Sequence, residues 1–218
     1  MEPSFWHARW KANEIGFHQD EINAHLQRYW PQFELPPGGT VFVPLCGKTR
    51  DMLWLASQGL RVVGVEISPI ATAAFFNEHG LTAEVAREGR FLRHTAAEIR
   101  LLEGDYFDLT PAHLGPIDAV YDRASLIALP PDLRRRYVEQ MARLVGPRVP
   151  LLLITLAYPQ REMNGPPFAV TSSEVEEFWS ADFHIERLDS FDILDENPRF
   201  RARGLTRLQE QLYRLTRR

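Results

Sequence analysis

From residue 40 onward, short apolar runs alternate with longer segments whose apolar positions recur every three or four residues. The runs at 41–46, 61–66, 99–103, 117–121 and 149–157 predict buried strands. The segments at 48–59, 68–79 and 131–145 predict helices, the last started by Pro130, Pro131 and Asp132. Leu151-Leu-Leu-Ile-Thr-Leu156 has no polar alternation, as expected of a parallel sheet covered on both faces. The polar stretch from Glu84 to Ala97 reads as a connection into the third strand. After a helix at 172–180, strands near 183–189 and 208–216 flank a loop, 190–206, too short and polar for a crossover helix. These two strands are expected to pair as a hairpin, which makes seven strands and puts one antiparallel strand at the C-terminal end of the sheet.

The first 35 residues follow a different pattern. Phe5, Trp6, Trp10, Phe17, Tyr29, Trp30 and Phe33 crowd a helical segment outside the expected sheet, with Asp20 as the expected cap of a helix through Ile22, Leu26 and Tyr29. Pro36-Pro-Gly-Gly39 then releases the chain into the first strand. The organisation expected is one domain over 1–218, with residues 1–35 as an aromatic helical lid and 40–218 as an α/β core.

Composition narrows the setting. With 218 residues and 44% hydrophobic content, the chain can bury one substantial core. A net charge of −4 disfavours a general role in binding nucleic acid or other polyanions. A single cysteine allows no internal disulfide, which suits a reducing compartment. The N-terminus lacks a signal-peptide pattern, and no run of 18 apolar residues offers a membrane span. A soluble, cytoplasmic, monomeric protein is the expectation.

The chemistry concentrates at strand ends. Val41-Phe-Val-Pro-Leu-Cys-Gly-Lys48 reads as a strand turning into a helix at a glycine, and Val62-Val-Gly-Val-Glu66 as a strand ending on a carboxylate about twenty residues later. In a βαβ unit that carboxylate can accept from both hydroxyls of a ribose. Pro44, Leu45 and Cys46 stand where a pyrophosphate loop would have glycines, so the ligand expected carries no diphosphate; S-adenosylmethionine fits. Ser68 and Pro69 then cap and start the next helix. The other reading of Glu66 is a surface acid on an ordinary α/β core.

Glu103-Gly-Asp-Tyr-Phe-Asp108 closes the third strand, where Asp105 can accept from an adenine amine and Tyr106 can pack on the ring; a plain capping turn is the alternative. Asp122-Arg123 ends the fourth strand, and a charge pair there is either used or structural. Arg123 can hold the methionyl carboxylate, a substrate anion or Asp122. An α/β sheet of this order, closed by an antiparallel hairpin, has the plan of the class I methyltransferases, with a mostly parallel seven-stranded Rossmann-like sheet.

Together, Pro44-Leu-Cys-Gly-Lys48, Val62-Val-Gly-Val-Glu-Ile-Ser68, Asp122-Arg123, Gly165-Pro-Pro-Phe168 and the aromatic N-terminus with Gly16-Phe-His-Gln19 resemble the thiopurine S-methyltransferase family, over nearly the whole chain. The resemblance implies an S-adenosylmethionine-dependent methyltransferase acting on the sulfur of thiopurines or similar thiols, with selenium and tellurium compounds as acceptors of bacterial members. Carried over position by position, cofactor contacts fall on Trp10, Leu45, Glu66, Asp105, Tyr106 and Arg123, and substrate contacts on Phe17 and Arg123. No dedicated catalytic base and no metal are implied.

Cys46, in an apolar strand end, reads as a small buried thiol rather than a nucleophile. The seven histidines show no metal-ligand spacing. The Arg-rich stretch from Arg199 to Arg218 reads as a solvated face. Gly165-Pro-Pro-Phe168 follows the fifth strand, not the fourth, unlike the Pro-Pro-aromatic loops of enzymes that methylate nucleic-acid amines. A methyltransferase for an oxygen or nitrogen nucleophile, a nicotinamide-dependent oxidoreductase and a non-catalytic nucleoside-binding module are the rival functions.

Overall fold

The computed structural model describes residues 3–218. A first compact unit ends at Tyr121 and a second runs from Asp122 to Arg218. The first contains α1 (Pro3–Lys11), α2 (Ala24–Tyr29), β1 (Thr40–Val43), α3 (Asp51–Ser57), β2 (Arg61–Glu66), α4 (Pro69–Glu78), β3 (Glu84–Glu88), β4 (Phe91–Ala96), β5 (Ile99–Glu103) and α5 (Pro111–Leu114). β6 (Ala119–Arg123) crosses the boundary. The second contains α6 (Pro131–Leu144), β7 (Pro150–Ala157), α7 (Ser172–Trp179), β8 (Phe183–Asp192), α8 (Pro198–Ala202) and β9 (Gln209–Arg217).

In the first unit β5, β2, β1 and β6 lie side by side and parallel, with Val41 opposite both Val62 and Ala119 and with Val63 opposite Arg100. Val41, Phe42, Val62, Leu101, Ala119 and Val120 are buried on both faces of these strands, as their continuous apolar runs require. The parallel register brings the ends of β1, β2 and β5 to one edge, the location at which open α/β sheets bind ligands. In the second unit β9 pairs antiparallel with both β7 and β8, the hairpin expected from the short polar loop.

Two expectations need correction. Nine strands, not seven, are present among the described residues, because Glu84–Ala97 is a hairpin: β3 and β4 pair antiparallel around Gly89, and β4 continues antiparallel against β5. Only Phe91 and Ala96 of this hairpin are buried, so its period-2 signal is faint among Glu and Arg. Asp20 does not cap α2. Asn23 does, its Oδ1 accepting from the amides of His25 and Leu26 at 3.1 Å each.

The aromatic N-terminal segment falls into two parts. Leu26, Tyr29, Trp30 and Phe33 are core residues, Trp30 lying edge-on to Tyr121 of β6. In α1 only Trp10 is buried; Trp6 and Phe17 are half-buried and meet each other and Trp10 edge to face.

Candidate functional site at the strand ends

The turn after β1 is held in a conformation its residues do not favour. Leu45 adopts φ +45° and Gly47 φ +53°. The first costs on the order of 1 kcal/mol for a residue with a Cβ. Bonds on both sides fix it: the Cys46 amide donates to the Val65 carbonyl at 3.0 Å, and the Thr49 amide to the Cys46 carbonyl at 3.2 Å. The turn is thus stitched to β2.

Gly47 is the centre of the arrangement. Its amide donates to Glu66 Oε2 at 2.8 Å, while the Ser68 amide donates to Oε1, also at 2.8 Å. A Cβ at Gly47 would sit 3.2 Å from the Trp10 indole. The glycine therefore serves two neighbours, letting the turn reach the carboxylate and letting Trp10 close over the turn. Gly64 plays a quieter part: a Cβ there would lie 2.8 Å from Cys46 Sγ, so the glycine within β2 makes room for the buried thiol. Burial first, and Glu66 second, hold that thiol's pKa well above its usual value, so Cys46 stays protonated and inert.

Glu66 is 6% exposed. Burial raises its pKa to about 7, against the pull of the amides of Ser68, Gly47 and Ile67. The charge is under-compensated, and the two oxygens keep acceptor capacity beyond these amides. A pair of adjacent hydroxyl donors supplies what is lacking. The residues therefore fit a pair of adjacent hydroxyls such as those of the ribose of S-adenosylmethionine, beside the Gly47 turn and Trp10.

The remaining sequence-predicted residues are placed as follows. The β5 turn lies next to the end of β2, where the Gly104 amide donates to the Glu66 carbonyl at 2.8 Å. Gly104 is required because a Cβ would penetrate the Phe91 ring, at 2.4 Å. Asp105 spends a carboxylate oxygen on its own turn, accepting from the Phe107 amide at 2.9 Å. Tyr106 is turned inward, 4% exposed and stacked on Phe42 at 6.5 Å between centroids. Leu45 and Phe17 are half-buried, Phe17 lying 5.7 Å from Trp10. Trp10, Phe17, Gly47 and Glu66 are thus drawn into one cluster, whereas the side chains of Asp105 and Tyr106 serve their own turn and the core.

Arg123 is the half-buried last residue of β6, directly before Ala124, another non-glycine residue in the left-handed region at φ +64°. Its neighbour Asp122 is fully buried and takes a hydrogen bond from Tyr137 Oη at 2.7 Å. Burial raises the Asp122 pKa to about 6, partly offset by Tyr137, Ser125 and the Leu126 amide. Asp122 is accordingly committed to the α6 side through Tyr137.

Sequence reasoning did not identify Lys48 or Asp51. The Lys48 ammonium bonds Glu78 at 2.6 Å, tying the glycine turn to the end of α4 and lowering the Glu78 pKa. Asp51, 1% exposed, accepts from the Asn23 amide and from Tyr121 Oη, each at 2.9 Å. The partners lie 28 and 70 residues away, so no local pattern pointed to them. Among the described residues no group of three or more His, Cys, Asp or Glu could hold a metal ion, and no helix is long and apolar enough to cross a membrane.

The thiopurine S-methyltransferase (TPMT) family model matches residues 1–218. Among curated relatives, the thiopurine S-methyltransferase of Nitrosospira multiformis is 51% identical over 215 residues, covering 99% of this chain and 98% of its own. That of Pseudomonas paraeruginosa is 49% identical over 217 residues, covering 100% of both. Among solved structures, a SAM-dependent methyltransferase from Anabaena variabilis aligns with TM-score 0.67 at 15% identity, over 99% of this chain and 95% of that one. The 1,6-didemethyltoxoflavin N1-methyltransferase of Burkholderia thailandensis, solved with S-adenosylhomocysteine, aligns with TM-score 0.62 at 18% identity, over 97% of this chain and 86% of that one. Likeness at these identities establishes the methyltransferase fold.

Proposed function

The chain belongs to the thiopurine S-methyltransferase family of S-adenosylmethionine-dependent methyltransferases, and on that premise we propose that its acceptor is the sulfur of a thiopurine or similar aromatic or heterocyclic thiol. Selenium and tellurium compounds, soft nucleophiles of the same kind, are further acceptors in this reading. The observation that carries it is the aromatic cluster of Trp6, Trp10 and Phe17 beside the Glu66–Gly47 cradle, a wall suited to a planar ring.

S-Adenosylmethionine, when bound, supplies an electrophilic sulfonium methyl. The protein's part is positioning and exclusion of water. Glu66 accepts from the ribose hydroxyls and is itself fixed by two backbone amides. Trp10 closes over the turn and offers a ring face that favours positive charge at sulfur. Phe17, edge-on to Trp10, borders the acceptor and keeps water away from it. Arg123, at the end of β6, meets the carboxylate of the donor or an anionic acceptor. Leu45 contributes through the left-handed turn that sets the Gly47 amide, and Asp105 and Tyr106 through the backbone they hold beside the end of β2. A thiol with a pKa of about 8.5 or below is partly thiolate at neutral pH, so the reaction needs no dedicated base.

The single cysteine and the net charge of −4 support a cytoplasmic protein acting on small molecules rather than nucleic acid, and a monomer is the state proposed. The test is a methyl-transfer assay with radiolabelled donor against 6-mercaptopurine, 4-nitrobenzenethiol, selenite and tellurite, with a phenol and an amine alongside. Labelled thioether from the thiols, and far less product from phenol and amine, is the expected result. Methylation of the oxygen or nitrogen acceptors alone would replace this reading with that of a different small-molecule methyltransferase.

A further inference from the structure

Asp51, like Glu66, is a buried acid of the first unit, but its hydrogen bonds reach across 28 and 70 residues of chain. It is 1% exposed, and its two oxygens receive the Asn23 amide and the Tyr121 hydroxyl, each at 2.9 Å. No ion pair is formed with it among the described residues. An acid that only opens a helix has no need of burial, since a solvated carboxylate serves the dipole as well. A buried carboxylate between two neutral donors is an expensive way to join two segments, and it is retained where their relative placement matters.

The segments it joins are those that carry the site. Asp51 itself opens α3, four residues after Gly47, and its amide donates to Thr49 Oγ1 at 3.3 Å. Tyr121 is the β6 residue two positions before Arg123 and is 1% exposed against Trp30. Asn23 caps α2 and donates through Nδ2 to Gln19 Oε1 at 3.2 Å, two residues past Phe17. One carboxylate therefore ties the start of α3, the β6 strand and the segment bearing Phe17.

We infer that Asp51 is a positioning residue for the acceptor side of the site, setting the segment 16–22 relative to β6 while the Glu66–Gly47 cradle is held by its own bonds. The inference rests on the reading that Phe17 borders a thiol acceptor. Glu66 receives no bond from Asp51, Asn23 or Tyr121, so the ribose end is independent of the tie. Asp51→Asn can preserve it, because Oδ1 still accepts from the Asn23 amide and the amide nitrogen can donate to the Tyr121 oxygen.

The experiment compares the full-length protein with Asp51→Ala, Asp51→Asn and Tyr121→Phe. Three quantities are read: S-adenosylhomocysteine affinity by calorimetry, the KM and kcat for 4-nitrobenzenethiol, and amide hydrogen exchange of residues 16–22. Asp51→Ala should raise the thiol KM by about tenfold or more, as loss of a charge-assisted hydrogen bond implies. It should hold S-adenosylhomocysteine affinity within about threefold and speed exchange in 16–22, and Asp51→Asn should recover most of both changes. Tyr121→Phe, which keeps the Asn23 arm and the apolar ring, should show the KM effect in smaller measure and covers the case in which the alanine variant does not fold. Equal loss of S-adenosylhomocysteine affinity and thiol KM, or a thiol KM unmoved in the folded variants, would overturn the inference. If the wild-type protein methylates no thiol, the acceptor reading fails on its own, and the exchange of 16–22 still decides whether Asp51 positions the segment.

Discussion

The Gly47 amide donates to the Glu66 carboxylate at 2.8 Å, so the glycine turn and the acidic strand end form one unit before any ligand is bound. Nineteen residues of chain separate them, and the parallel register of β1 and β2 closes the distance. The same carboxylate is buried and carries a pKa raised to about 7, which makes its protonation a readout of the site.

Donor binding should therefore depend on pH. Ribose hydroxyls favour the ionised carboxylate, so binding lowers the Glu66 pKa from about 7 and releases a proton. Affinity for S-adenosylhomocysteine should rise as pH rises toward about 7 and level off above it. Calorimetry in buffers of different ionisation enthalpy at pH 6 and pH 8 checks the proton count. Glu66→Gln should abolish the dependence and weaken binding about tenfold or more. In the ligand-free protein the sign is opposite: the raised value stabilises the fold fully below the ordinary 4.5, and that contribution is lost as pH rises through about 7.

Arg123→Lys should lower methyl transfer about tenfold or more while shifting the melting temperature by only a few degrees, because charge is kept and the guanidinium fork is lost. Thermal melts alongside turnover per folded molecule test it. A variant that melts early yet turns over normally would make Arg123 structural.

Tyr137→Phe removes the hydroxyl that donates to Asp122 at 2.7 Å. The lost bond to a buried carboxylate should cost about 1.5–3 kcal/mol at neutral pH, or roughly 3–12 °C in melting temperature. It should also push the Asp122 pKa above about 6, so the deficit should shrink as the buffer is taken below pH 6. Melting curves between pH 5 and pH 8 give both quantities.

The lid expected over residues 1–35 is narrowed by burial, with residues 1 and 2 outside the described part. Leu26, Trp30 and Phe33 are core, whereas in α1 only Trp10 is buried. Hydrogen exchange should therefore show residues 24–33 protected with and without S-adenosylhomocysteine, and residues 3–22 gaining protection when it binds. Equal protection of 3–22 in both states would mark the whole segment as permanent structure.

The sequence by itself determined what depends on neighbours along the chain. Continuous apolar runs at β1, β2 and β6 forced buried parallel strands, and that at β7 a buried strand, since a strand covered on both faces has no solvent side to signal. Ser68 before Pro69 announced the start of α4, because a cap is a bond spanning three residues. Glu66 stood out because a carboxylate after four apolar residues must be used or neutralised. Tertiary structure decided what depends on distant partners. The β3–β4 hairpin was hidden because only Phe91 and Ala96 of it are buried, and the Asp51 tie because its bonds reach back to Asn23 and forward to Tyr121. The reason for Gly47 was legible only as a turn; the structure adds the Trp10 ring 3.2 Å from its missing Cβ, a steric fact that no spacing along the chain encodes.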